Sequence, residues 1–165
     1  MADLSTIQEL LENEIKDLYS AQKQLLKAIP KMAKGANHPD LQNCFTAHRA
    51  ETKEQVARLE EVAKLLEIKP TGKTRMGMEG VIKEGVEALE ETGDDTAFDL
   101  GIIGAGSRVE HYEMAGYTTA IDLASQMKST AVVALPQKSL GEEKAAEQKL
   151  HMMASMLMKS TAAAA

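Results

Sequence analysis

The sequence predicts an all-α protein: a four-helix bundle with one additional short helix. Three observations lead there. Helix-forming Ala, Leu, Glu, Lys, Gln and Met dominate, while aromatics are 3% and Trp is absent. Apolar residues recur at roughly 3.6-residue spacing through four long segments. Nowhere does the apolar–polar alternation of a half-buried strand appear. At 165 residues the chain fits one domain, placed at 1–159, and is long enough to bury a real core.

Ser5-Thr6-Ile7-Gln8 has the form of a capping box, so the first helix is expected to start at about Thr6. Its apolar stripe is Ile7, Leu11, Leu18, Leu25 and Ile29; Pro30 should kink its last turns, and Gly35 should stop it. Asn37-His38-Pro39 reads as a cap with proline at the first helical position. The second helix then runs to about Glu67, with Leu41, Phe45, His48, Thr52, Gln55, Leu59, Val62 and Leu66 on one seam. Lys69 to Arg75 is a linker. Its Gly72-Lys73-Thr74 lacks the first glycine of a phosphate loop and follows no strand.

A shorter helix from Met78 to Leu89 is weakened by Gly80 and Gly85. Gly93-Asp94-Asp95 ends it and caps the next, expected from about Thr96 to Met127. That helix opens with Gly101, Gly104, Ala105 and Gly106, small residues that let a neighbouring helix come close. Ser129-Thr130 caps the last helix, which should reach about Lys159 with a kink or break at Pro136 and Gly141. Residues 160–165 are expected to form a frayed tail.

Composition excludes several function classes. A net charge of −6 with no basic block argues against nucleic acid. No apolar run approaches the roughly 18 residues that span a bilayer. The polar, acidic start of the chain is unlike a secretion signal, which predicts a cytoplasmic protein. A lone cysteine, Cys44, rules out an internal disulfide and reads as a core thiol beside Phe45.

Each long helix nevertheless carries acidic or amide residues on its core stripe. These are Gln22; His48, Glu51 and Gln55; Glu110 and Glu113; and Glu143 and Glu147. Within each set, three-, four- or seven-residue spacing keeps the side chains on one helix face. Glu is almost never fully buried unless something neutralises it. Converging carboxylates repel, and protonation or a bound cation relieves them. Five acids with His48 as nitrogen donor carry about the charge that two divalent cations offset. Carboxylate-rich ligation suits iron, with manganese as the other candidate, better than zinc. The competing reading places the acids at the bundle margin, in surface ion pairs worth under about 1 kcal/mol each. The expected metal residues are Glu51, Glu110, Glu113 and Glu143, with His48, Gln22 and Glu147 completing or flanking the site. Spacing leaves open which of His48 and Gln55 faces the metal. Tyr19, Tyr112 and Tyr117 read as packed core tyrosines, His111 as a surface or dimer residue, and Glu79 as an outlying candidate.

Leu18-Tyr19-Ser20-Ala21-Gln22-Lys23-Gln24, His48 with Glu51-Thr52 and Gln55, Met78-Glu79-Gly80-Val81-Ile82, Val109-Glu110-His111-Tyr112-Glu113 and Glu142-Glu143-Lys144-Ala145-Ala146-Glu147 carry a resemblance. From about Ile7 to Leu150 the chain resembles the YciE/YciF family of ferritin-like bacterial stress proteins, a domain of unknown function. The resemblance implies a ferritin-like bundle related to rubrerythrin-type di-iron proteins, and a homodimer; with the carboxylate-rich stripes, the leading expectation is a dinuclear iron or manganese stress protein that reacts with oxygen or peroxide. It supplies no substrate. Gln22 stands where the family's first-helix motif ends in Glu, and His48-x-x-Glu51 reverses the ferritin-like Glu-x-x-His order. A non-enzymatic dimeric bundle with a degenerate site is the alternative.

Overall fold

The structure, a computed structural model, describes residues 6–72 and 75–164. Its helices are α1 (Ile7–Gly35), α2 (Pro39–Leu65), α3 (Met76–Ala88), α4 (Asp95–Gln126) and α5 (Thr130–Ala164). Two antiparallel hairpins, α1–α2 and α4–α5, pack side by side so that α1 also meets α4 and α2 meets α5. The short α3 lies across α1 and α4 and carries the chain from one hairpin to the other. No described helix is long and apolar enough to cross a membrane.

The helix ends follow local chemistry, with some corrections. The first capping box forms between Thr6 and Glu9, one residue later than expected: Glu9 N donates to Thr6 Oγ1 at 3.1 Å, and Thr6 N donates to Glu9 Oε2 at 2.9 Å. A carboxylate at the helix start is favoured over the neutral amide of Gln8 by charge-assisted bonding and the helix dipole. Ser5 lies outside the described residues. Ile7 is 50% exposed, and the buried stripe begins instead at Leu11 and takes in Ile15, Ala21, Ala28 and Met32. Pro30 sits on the exposed side of α1, and the helix continues past it to Gly35.

At the start of α2, His38 is the N-cap and Pro39 the first helical residue. The buried carboxylate of Asp99, reaching from α4, accepts from the Asn37 and His38 amides at 2.7 Å each. Two turns require left-handed backbone at non-glycine residues, Glu67 (φ 55°) and Lys128 (φ 56°). Both close Schellman-type ends, with Ile68 N donating to Ala63 O and Ser129 N to Ala124 O. Ser129 O already accepts from Val133 N, so only Met127, Lys128 and Ser129 separate α4 from α5.

The expected break in α5 does not occur, since one helix runs through Pro136 and Gly141. Pro136 lies past the first amides that lack intrahelical partners, so it forgoes one helix bond to the Val132 carbonyl, and the helix continues through that loss. The helix also continues beyond Lys159 to Ala164, consistent with alanine's top helix propensity.

Of the small-residue stretch in α4, Gly106 is the close-approach position. A Cβ there would come within 3.1 Å of Leu150 and 3.5 Å of Phe45, whereas Gly101 faces open space. Gly116 does the same for α1, where a Cβ would meet Leu18 Cδ2 at 2.7 Å. Arg75 ties the start of α3 to α1 by an ion pair with Asp17 (3.0 Å), which also accepts from Tyr112 Oη (2.9 Å). Glu79 is exposed on α3, away from the interior. Cys44 is half-buried against the apolar core, and that burial raises its thiol pKa.

The core comes in two apolar parts. One gathers Leu25, Ile29, Leu41, Phe45, Met78, Ile102, Val109 and Leu150. The other gathers Leu11, Ile15, Leu18, Leu59, Val62, Ala120 and Val132, with the Tyr117 ring. Between them lies a layer of buried polar side chains.

Candidate metal centre

Every bundle helix contributes to the polar layer: Gln22 from α1, His48, Thr52 and Gln55 from α2, Glu110 and Glu113 from α4, and Glu143 from α5. All are buried, and Glu113 and Glu143 have no accessible surface at all. The sequence folds this way because these residues occupy the three- and seven-residue steps of otherwise apolar stripes. Burying the stripe therefore buries the acids with it.

His48, Glu110, Glu113 and Glu143 form one cluster, each offering a ligand atom within 4.8 Å of the others. His48 Nε2 is 3.3 Å from Glu110 Oε1. On its other side Nδ1 faces Glu51 Oε2 at 3.6 Å, and Glu51 reaches outward to Lys149 Nζ at 3.5 Å. Gln22 Nε2 touches three acceptors: Gln55 Oε1 (3.0 Å), Tyr117 Oη (3.1 Å) and Glu143 Oε1 (3.3 Å). Gln55 Nε2 in turn donates to Glu142 Oε2 at 3.2 Å. Glu142 pairs with the guanidinium of Arg58, whose Nε donates to Ser139 Oγ.

The electrostatics are those of charges removed from water. Burial pushes the Glu113 carboxyl well above the usual range, and the negative charge of Glu110 adds to it. Glu143 is raised for the same reasons, burial first and then the charges of Glu113 and Glu110. Glu110 is raised by burial, with His48 pulling in the opposite direction. For His48, burial favours the neutral ring, but Glu51 and Glu110 together outweigh it and the pKa rises. Glu51 is lowered, chiefly by its contact with His48. The Tyr117 hydroxyl is raised well above the ordinary phenol by burial and by Glu113.

Buried polar atoms normally find hydrogen-bond partners. Here Glu110 Oε2, both oxygens of Glu113, Glu143 Oε2 and Gln22 Oε1 have none. A protonated carboxyl satisfies one such oxygen, and a divalent cation satisfies several at once while offsetting their charge. Three carboxylates and an imidazole are hard-to-intermediate donors that suit iron or manganese. The residues present therefore fit a metal ion.

The family described as a domain of unknown function (DUF892) matches residues 6–163. This chain belongs to that family. It is 35% identical over 149 residues to Protein YciF of Escherichia coli (strain K12), covering 90% of each chain. The crystal structure of the E. coli stress protein YciF superposes with a TM-score of 0.91 at 34% identity, over 94% of this chain and 98% of that one. YcfI from Rhodopseudomonas palustris, proposed as a structural protein, gives a TM-score of 0.87 at 39% identity, over 90% and 95% of the two chains. The predicted all-α bundle and the resemblance to the YciF family both hold.

Among the residues expected from sequence, the structure brings together His48, Glu110, Glu113 and Glu143, with Gln22 against Glu143. Both His48 and Gln55 face inward: His48 lies in the cluster, and Gln55 joins it only through Gln22. Glu51 is placed behind His48 with its side chain 34% exposed. Glu147, partly exposed, acts on Glu110 only through its charge. Sequence reasoning missed Arg58, Ser139 and Glu142. The available signal was Arg58 itself, three residues after Gln55 on the same seam and therefore an unexpectedly buried cation. Tyr112 is bonded to Asp17 outside the cluster, and Tyr19 to Glu60 near the surface.

Proposed function

We propose that this protein binds a divalent transition metal inside its bundle, iron in preference and manganese otherwise, and serves a stress-linked role involving oxygen or peroxide. The observation that carries the reading is the group of buried, unpartnered oxygens on Glu110, Glu113 and Glu143 beside the His48 imidazole. These four residues would hold the ion. Once bound, such a metal supplies Lewis acidity and redox chemistry toward oxygen or peroxide. Glu51 lies 3.6 Å from the remaining ring nitrogen of His48, too far for a hydrogen bond but near enough for its charge to favour that ring orientation. Gln22 holds Glu143, and the two apolar core parts keep bulk water away from both faces of the layer.

The protein is read as a cytoplasmic homodimer. The free thiol of Cys44 fits a reducing compartment. Exposed Met152, Met156 and Met158 on α5 offer apolar surface to a second copy. Elemental analysis of protein purified without chelator tests the metal reading, which expects at least about one iron or manganese per chain. Folded protein that neither retains nor takes up metal overturns it. A second reading, a structural bundle with a degenerate site, is favoured by Gln22 and by the role proposed for YcfI.

A further inference from the structure

Resting on that reading, we infer that the site is mononuclear: the amide nitrogen of Gln22 donates where a second ion would lie, and its unpartnered Oε1 is a neutral oxygen that holds no ion by itself. The orientation of that amide follows from a chain of contacts that begins outside the cluster. Arg58 pairs with Glu142, which leaves Glu142 an acceptor. Gln55 must therefore present its nitrogen to Glu142, and it does so at 3.2 Å. Its oxygen is then turned toward Gln22, so Gln22 must present nitrogen in return, at 3.0 Å. That same nitrogen faces Tyr117 Oη and Glu143 Oε1. Turning the amide over would set oxygen against Gln55 Oε1 and oppose two acceptors. The carboxylate of Glu143 thus meets a donor on the α1 side, where a bridging carboxylate would meet a cation.

Donor count agrees with this. Dinuclear carboxylate bundles present a Glu from each of two helices and a Glu-x-x-His pair from each of the other two. Here the interior cluster holds three Glu and one His. Three residues after Glu143, where a second imidazole would project, stands the buried Ala146. Three carboxylates keep one unit of negative charge with one divalent ion and gain one unit of positive charge with two, so charge alone does not choose between them. A fourth carboxylate at position 22 would balance two.

The experiment is an anaerobic titration of the full-length apo protein with manganese(II), following free ion by its electron paramagnetic resonance signal. Gln22→Glu and Gln22→Met are titrated alongside, with helical content checked by circular dichroism. The parent and Gln22→Met are expected to bind one ion per chain, and Gln22→Glu two. The loaded Gln22→Glu protein is further expected to show the spectrum of an exchange-coupled pair. Two ions in the parent overturn the inference and leave the metal reading intact; no binding at all overturns the metal reading itself. One ion in a folded Gln22→Glu variant, or loss of the single ion in a folded Gln22→Met variant, also overturns it. The first would show that Gln22 is not what closes the second position, the second that its amide is a ligand.

Discussion

Removing metal with a chelator should make the stability of this protein fall steeply as pH rises. The carboxyls of Glu113 and Glu143 have folded pKa values well above the ordinary range because they are buried among negative charges. A group with a raised folded pKa binds its proton more tightly when folded. Its stabilisation is complete below the unfolded value, about 4.3 for Glu, and is lost as pH rises toward the folded value. His48, also raised, contributes with the same sign, starting from its unfolded value near 6.5. Each group that is protonated only in the folded state lowers stability by about 1.4 kcal/mol per pH unit. With Glu113 and Glu143 both in that condition, the slope reaches roughly 2.8 kcal/mol per unit. In a domain of this size about 1 kcal/mol moves Tm by roughly 3 °C, so the apo protein should lose on the order of 8 °C per pH unit in its steepest range. Bound metal replaces those protons, and at a hundredfold excess over Kd it adds about 2.7 kcal/mol. Thermal melts followed by circular dichroism, with and without chelator, between pH 5 and 8 provide the measurement. Glu113→Gln should raise the apo Tm at pH 7.5 and shed about one proton's share of the slope. An apo melting temperature that is flat with pH, or a Glu113→Gln variant that leaves the slope unchanged, would refute the reasoning.

Asp99→Ala should cost about 3 kcal/mol in urea denaturation, because it removes two short charge-assisted bonds to the Asn37 and His38 amides at the start of α2. Arg58→Met should lose about 2 kcal/mol by the same assay, less than a fully buried pair would, because Glu142 is a quarter exposed and can rehydrate. Gly116→Ala should destabilise by about 1–3 kcal/mol, since the new Cβ would lie 2.7 Å from Leu18 Cδ2.

Much of this molecule was legible in one dimension because helix periodicity converts sequence spacing directly into a face. The interior placement of His48, Glu110, Glu113 and Glu143 followed from three- and seven-residue steps alone. What spacing cannot supply is the partner on the other helix. Asp99 carries no spacing signal of a role near the start of α4, and only the fold brings it to the amides of Asn37 and His38. Arg58 and Glu142 find each other across the α2–α5 seam, more than eighty residues apart in sequence. The orientation of the Gln22 amide depends on that pair and so was beyond reach as well. Glu51 shares a helix face with His48, but a face spans a range of depths, and the fold leaves it partly in water. Pro136 misled for a related reason: it costs its helix one bond, and the packing of α5 against α4 and α2 that carries the helix through is not visible in the spacing.

The polar layer has a consequence for how the family can vary. It separates the two apolar parts of the core, so a change of side-chain volume beside Phe45 reaches Leu59 or Val62 only through the buried polar side chains between them. Substitutions far apart and without shared partners combine almost independently. Each end of the bundle can therefore drift in sequence and be repaired locally, without a compensating change at the opposite end. The layer itself has no such freedom: Gln22, Gln55, Glu142 and Arg58 form one chain of donors and acceptors, and altering any link reorients the next. Relatives that change the first-helix residue should therefore change its partners on α2 and α5 together, and the unit of inheritance at this site is the whole polar chain.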